Sequence, residues 1–395
     1  MSKDVYDYIV VGAGIAGCST AHFLSKKSSN VLIVDKNSDV AFGASGAAGA
    51  FLSPLLGKPN AFKDLITKSL KFSVSYYLKH FKDDILNCGI CRIPKNNEDR
   101  EKFESYKPYM DFDYSDFEEG FLFDIGSVVT PYNICKKLIN NIETKFDFDV
   151  ESITKEEGLW VLNKELKAKN LILTTGANIK LIKEEYFDIR AVWGQKIDAF
   201  TSSNPKVNYH KECSLSKGIE VSTNKYKVSI GATHHRFDCN KDICNYCVEV
   251  ANINTCSRCY SGDMTNSDSE KLIKLANDIK PLENVEIIDV KIGARASSTD
   301  YFPMVGELVD SKKSIEKYPH ILNGSFIKEE NLEMIDNLYV INGVGGRGFV
   351  LSLYLANELC EHIINNKSLD SKITTHRLFK RWAKRIKSKT KNNKK

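Results

Sequence analysis

Tyr8-Ile9-Val10-Val11 is an unbroken apolar run, and Val31-Leu32-Ile33-Val34 is a second. Runs this short, ended by Gly or Asp, predict strands buried on both faces. Residues Cys18 to Lys27 between them predict a helix, so the chain opens as β-α-β. Leu171-Ile172-Leu173 and Leu338-Tyr339-Val340-Ile341 also read as buried strands that meet Gly-containing turns. Elsewhere the period changes. Leu65, Ile66, Leu70, Val74, Tyr77, Leu78 and Phe81 recur at helical spacing and predict an amphipathic helix over 61–81. Ser127 to Thr130 predicts a short strand, and Pro131 opens a helix to about Asn141. Strands are expected near 147–153 and 159–162. Residues 95–123, charged and aromatic, predict surface helix and loop. Residues 190–233 alternate and predict antiparallel strands, with another from Val285 to Ile292. Ser267-Asp268-Ser269-Glu270 reads as a capping box opening a helix to about Ile279. A last core helix is expected from Phe349 to about Ile364.

The first turn carries chemistry. Gly12, Gly14 and Gly17 form G-x-G-x-x-G between strand and helix. Gly12 permits the tight turn, Gly14 lets backbone approach a pyrophosphate, and Gly17 lets helix and strand close up. Asp35 ends the second strand, about 20 residues on, where an acid accepts from a ribose hydroxyl. The pattern predicts a dinucleotide binder.

Composition changes this picture in two places. The chain has 395 residues, 42% hydrophobic and 27% charged, enough for two cores. Its formal charge is +5, but residues 371–395 hold eleven Lys and Arg and no acid, so the rest is net acidic. Such a concentrated basic tail suggests a polyanion partner. Leu378, Phe379, Trp382, Ala383 and Ile386 would form one apolar stripe. Arg377, Lys380, Arg381, Lys384, Arg385 and Lys387 would face a phosphate backbone. A solvated terminus or a membrane-surface helix are the other readings of the same charges. The second place is a Cys-rich insert holding five of the eleven cysteines. Cys244, Cys247, Cys256 and Cys259 read C-x2-C-x8-C-x2-C, a spacing that fits a structural zinc; unmetallated reduced thiols are the alternative. Cys88 and Cys91 lack a second pair and read as incidental. No run is long enough to cross a membrane, the first strand leaves no room for a secretory leader, and a cytoplasmic location is expected.

Four separated segments share one likeness: the glycine fingerprint with Asp35, Thr174-Thr175-Gly176-Ala177, Gly293 to Gly306, and Gly345-Gly346-Arg347-Gly348. Together they resemble the D-amino-acid oxidase/glycine oxidase family of FAD enzymes. The segment Gly43 to Leu56 and the ending His376 to Trp382 resemble the oxidase domain of the MnmC family, which modifies the tRNA wobble uridine. The resemblance implies FAD as cofactor. Asp35 would hold its ribose and Val150 would lie by the adenine. Ser45, Gly46 and Ala48 would line the flavin side, while Gly176, Gly345, Gly346, Gly348 and Phe349 would complete the cradle. Arg295 would grip a substrate carboxylate, with Arg347 the second candidate, a carbonyl cap or flavin contact being its alternative. One of His234 and His235 would face the pocket, because neighbours on a strand point opposite ways; His234 is the candidate.

The expected class is α/β (α+β): a Rossmann-like FAD-binding domain with a discontinuous, mainly antiparallel β-sheet substrate domain and a basic C-terminal helix. The expected division gives 1–60, 124–190 and 330–365 to FAD. It gives 61–123 and 191–329 to substrate, including the insert 234–266, and leaves 366–395 as tail. The resemblance implies an oxidase that removes the glycine part of 5-carboxymethylaminomethyl-(2-thio)uridine in tRNA, the tail 371–395 binding that RNA. Since the fingerprint starts at residue 7, a separate methyltransferase is expected downstream. A small-molecule glycine, sarcosine or D-amino-acid oxidase, and a non-catalytic flavin and zinc RNA-binding protein, are the alternatives.

Overall fold

The computed structural model describes residues 5–236 and 262–392. The proposed zinc ligands Cys244, Cys247, Cys256 and Cys259 lie outside the described residues. Five parallel strands form the centre of the first sheet, in the order Glu143–Lys145, Val31–Val34, Tyr6–Val11, Leu166–Leu173 and Met334–Asn342. Ile9 and Val10 are both fully buried and point to opposite faces, so each face needs a cover. Helices Ile15–Ser25, Ala61–His80 and Gly348–Asn365 cover one side through Leu24, Leu70 and Leu353. The other side packs on Tyr186, Leu378, Phe379 and Ala383.

That second cover includes the basic C-terminal helix. Helix His376–Asn392 buries Leu378, Phe379 and Ala383 in the core, as the apolar stripe requires. Arg377 does not face outward. Its Nε and Nη2 donate to Asp300 Oδ2 and Oδ1 at 2.9 and 3.0 Å, and Nη2 also donates to the Phe302 carbonyl. A bidentate pair of this kind fixes geometry as well as charge.

A second sheet, of nine strands among the described residues, contains the long antiparallel pair Ile189–Thr201 and Glu286–Ser298, with Lys225–Gly231 beside it. A three-stranded sheet, Phe51–Leu52, Ser127–Val129 and Ile85–Leu86, joins the region between. Met304–Val309, expected in the substrate part, instead pairs with Met334–Asn342 in the first sheet.

Three further expectations fail for local reasons. Residues 95–123 hold the expected surface helix, Asn97–Tyr106, but fail as loop beyond it, where the hairpin Tyr114–Phe117 and Gly120–Phe123 buries its alternate residues Phe121 and Phe123. Asp116, Glu118 and Glu119, just before those aromatics, mask the period of two. Val150 is in no strand, because Asn163 Oδ1 accepts from Glu151 N and Ser152 N and takes the bonds a ladder would use. The strand begins at Ile153. The capping box lies inside helix Gly262–Asn277, where Asp268 and Ser269 are buried against the second sheet instead of capping a terminus. Among the described residues no helix is long and apolar enough to cross a membrane.

Candidate active site

A cavity of about 1070 Å³ lies where the carboxyl ends of the parallel strands meet the second sheet. Open α/β sheets bind ligands at this edge, and the volume is at the upper end of ordinary ligand pockets, roughly 300–1,000 Å³. The turns along the edge are tied together. Thr174 Oγ1 donates to the carbonyls of Val11 and Gly12, and Asn342 Nδ2 donates to that of Gly176. Gly12 sits at φ +106°, and a Cβ there would fall 2.6 Å from the Thr174 carbonyl oxygen. No side chain fits that conformation and space. Gly17 and Gly46 do not line the cavity. Added Cβ atoms would fall 1.8 Å from the Gly12 carbonyl oxygen and 2.0 Å from that of Ala41, so both serve close packing.

The remaining expected cradle residues, Gly14, Asp35, Ser45, Ala48, Val150, Gly176, Gly345, Gly346, Gly348 and Phe349, all line the cavity with Gly12. Asp35 accepts from Ala13 N at 2.6 Å and from Asn37 N and Nδ2 at 2.9 and 2.8 Å. A carboxylate has about four acceptor positions, so room is left for a ribose hydroxyl. Ser45 Oγ accepts from Ile15 N at 2.9 Å, which sets it over the helix N-terminus, at the end suited to a pyrophosphate. The small-residue loop is also explained by packing: a Cβ on Gly293 would fall 2.8 Å from Ala44 Cα. Helix Gly348–Asn365 begins with no side-chain cap, which leaves its first N–H groups for a ligand. This donor set, with two helix starts and a ribose acid along one cavity, fits an adenine dinucleotide.

Arg295 lies on strand Glu286–Ser298, and Nη1 donates to the Thr233 carbonyl at 3.1 Å. Its guanidinium occupies the place a side chain on Gly194 would take. A Cβ there would be 2.5 and 2.6 Å from its terminal nitrogens. A Cβ built on Gly346 would lie 3.6 Å from Arg295 Cδ, an ordinary contact, so only Gly194 must lack a side chain for Arg295 to fit. Arg347 is held elsewhere, its Nη1 donating to the Ser53 carbonyl at 3.0 Å. Burial lowers its pKa to about 10, so it stays charged at neutral pH.

The two histidines divide as alternation requires. His234 lines the cavity, and partial desolvation followed by the Arg295 charge lowers its pKa. His235 turns away, pairs with Asp268 at 2.8 Å, and forms a two-way backbone bridge with Trp193. Asp268 also accepts from Thr233 Oγ1, so helix Gly262–Asn277 fixes the strand end carrying His234. Cys88 and Cys91 are free thiols, and burial raises Cys91 to about 12. Among the described residues no cluster of three or more His, Cys, Asp or Glu could hold a metal.

Two cavity residues escape sequence reasoning, Arg92 and His210. The signal for Arg92 is a cation inside the apolar stretch Ile90-Cys91-Arg92-Ile93. No such signal marks His210, which reaches the cavity through a parallel pairing of Asn208–His210 with Ile90–Arg92.

Residues 7–362 match the DAO family, described as FAD dependent oxidoreductase. The chain belongs to the DAO family. The resemblance to D-amino-acid and glycine oxidases therefore stands, and this DAO protein is an FAD-dependent oxidoreductase. It is 22% identical over 381 residues to the "tRNA 5-methylaminomethyl-2-thiouridine biosynthesis bifunctional protein MnmC" of Campylobacter fetus, covering 91% of this chain and 56% of that protein. It is 26% identical over 395 residues to the protein of the same name from Legionella pneumophila, covering 93% and 55%. The chain thus spans little more than half the length of these curated relatives. Glycine oxidase from Geobacillus kaustophilus shares the fold with a TM-score of 0.66 at 15% identity, covering 94% of this chain and 99% of that one. Iminodiacetate oxidase from Chelativorans superposes with a TM-score of 0.64 at 13% identity, covering 93% and 98%.

Proposed function

We propose that this oxidoreductase acts on tRNA. It removes the carboxymethyl part of 5-carboxymethylaminomethyl-(2-thio)uridine, giving 5-aminomethyluridine and glyoxylate, and a separate methyltransferase acts on that product. The relatives named MnmC support a tRNA substrate. The observation that carries the reading is the Asp300 contact. Asp300 stands in the cavity wall and is gripped by Arg377 and, at 3.4 Å, by Arg381 of the basic C-terminal helix. A polynucleotide lying on that helix is one side chain away from the cavity. Arg381, Lys384 and Arg385 are exposed there and would meet its phosphates.

The substrate side of the chemistry follows from the residues present. Arg295 would take the glycyl carboxylate in its planar fork, aiming the adjacent CH₂ along the cavity. The cationic field of Arg92, Arg295 and Arg347 disfavours an ammonium and keeps the substrate's secondary amine neutral, its reactive form. FAD, which the cradle around Gly12, Asp35 and Gly345 would hold, would supply the two-electron acceptor for the hydrogen of that C–H bond, lost as hydride. The amine proton leaves to solvent, and water adds across the resulting C=N bond, releasing glyoxylate and the primary amine.

Nucleoside mass spectrometry of tRNA from cells with and without the gene tests this. Loss of the gene is expected to accumulate 5-carboxymethylaminomethyluridine at the expense of 5-aminomethyluridine and its methylated product. An unchanged profile contradicts the reading and leaves a small-molecule amine oxidase, which the fold shared with glycine oxidase would favour.

A further inference from the structure

Arg92 and Arg347 share one anchor. Arg92 Nη1 donates to Ser53 Oγ at 3.0 Å and to the Pro54 carbonyl at 2.9 Å, and Arg347 Nη1 donates to the Ser53 carbonyl at 3.0 Å. Both line the cavity, and every hydrogen-bond partner seen for them is neutral. Neither forms a salt bridge among the described residues. Arg92 Nε is buried with no hydrogen-bond partner at all. A buried, unpaired donor on a cation is costly unless a ligand completes it. His210 stands beside the pair, its Nδ1 2.7 Å from Ser214 Oγ, and it cannot supply the missing negative charge. Five N–H donors on each guanidinium, in fixed planar array, match an oxyanion better than any neutral group.

We propose that Arg92 and Arg347 form a second anion receptor, distinct from Arg295, that takes a further oxyanion of the substrate. Two cation sites in one cavity select for an amine that carries two anionic groups. The second oxyanion is a phosphate of the polynucleotide chain or a second carboxylate on a small amine. The inference rests on the oxidase reading of this cavity, and it is independent of whether RNA is the substrate. Ser53 and Pro54 act as positioning residues, because they hold both forks without neutralising them.

The test uses the flavin-loaded enzyme and equilibrium dialysis with labelled inorganic phosphate and labelled acetate. Arg92→Gln is expected to weaken phosphate binding roughly 10- to 100-fold, the loss of a charge-assisted pair, with the acetate held by Arg295 retained. Arg295→Gln is expected to do the reverse, and Arg92→Lys to restore part of the phosphate affinity. No phosphate binding by the unaltered enzyme overturns the proposal. So does unchanged phosphate binding in Arg92→Gln, or loss of bound flavin in that variant. The source of the oxyanion is read from KM for an anticodon stem-loop bearing the carboxymethylaminomethyl group and for iminodiacetate. The one whose KM rises more in Arg92→Gln supplies it. Failure of the RNA reading shows separately, as no turnover of the stem-loop by the unaltered enzyme while the two dialysis results stand.

Discussion

Gly194→Ala perturbs Arg295 without touching its charge. The new methyl would sit 2.5 and 2.6 Å from the guanidinium nitrogens, whereas ordinary contact begins near 3.4 Å. The guanidinium must therefore move by roughly 1 Å, and a displacement of that size costs up to about 100-fold in rate. The same methyl would fall 2.5 Å from the Thr233 carbonyl oxygen, so a stability loss of about 1–3 kcal/mol is also expected from overpacking. Gly194 is paired with Gly293 inside a regular ladder and has no positive φ, so Ala adds no backbone strain. The assay is kcat/KM together with acetate affinity, at a temperature where both proteins are folded, with flavin content measured in each. Flavin content is expected to hold while acetate affinity and kcat/KM fall. On an Arg295→Gln background the same change is expected to add little, because both act through one group. A full, independent loss on that background, or unaltered acetate binding in Gly194→Ala, refutes the placement of Arg295.

Phe379→Ala empties a site that is 1% exposed between Tyr186 and Trp382, and should cost about 3–5 kcal/mol in urea unfolding; a loss under 1 kcal/mol would mean the terminal helix is not part of the core. Replacing Arg381, Lys384 and Arg385 with Gln is expected to weaken RNA binding and reduce the slope of log K against log salt by up to about 0.9 for each phosphate no longer neutralised, with an unchanged slope contradicting the role of this face. The His362–Glu307 pair predicts a pH window. The Glu307 bond raises His362 above 6.5, so its contribution is present below 6.5 and is lost as pH rises through the raised value. Glu307 is raised by burial but brought below 4.5 overall by His362, so its contribution is present above 4.5 and is lost as pH falls through the lowered value. The melting-temperature difference between the unaltered protein and His362→Gln should thus be greatest between pH 4.5 and 6.5; a difference independent of pH would contradict the ion pair.

The dinucleotide end of the site is legible in the sequence because it is local. Gly12, Gly14, Gly17 and Asp35 sit within one β-α-β unit, and strand, turn and helix all announce themselves by spacing. Arg295 is legible only through family resemblance, since nothing in its strand shows that Gly194 vacates space for it. Arg92 and His210 are set by pairings between distant segments, Ile90–Arg92 with Asn208–His210, which no periodicity encodes. The basic terminus is the instructive failure. Its apolar stripe gives the docking face, but charge counting treats Arg377 as free, whereas Asp300, 77 residues away in sequence, claims it. A consequence is that deleting 371–395 would remove core residues along with phosphate contacts, so substitutions on the exposed face are the sharper test.

The proposed function rests on one step, reduction of a flavin in this cavity by the glycyl arm of a nucleoside held in RNA. Anaerobic mixing of the flavin-loaded enzyme with an anticodon stem-loop carrying 5-carboxymethylaminomethyluridine measures that step directly. Bleaching of the flavin absorbance is expected, with one glyoxylate and one 5-aminomethyluridine formed per flavin, and far slower bleaching by free glycine. Bleaching by free glycine alone, with the stem-loop recovered unchanged, would contradict it.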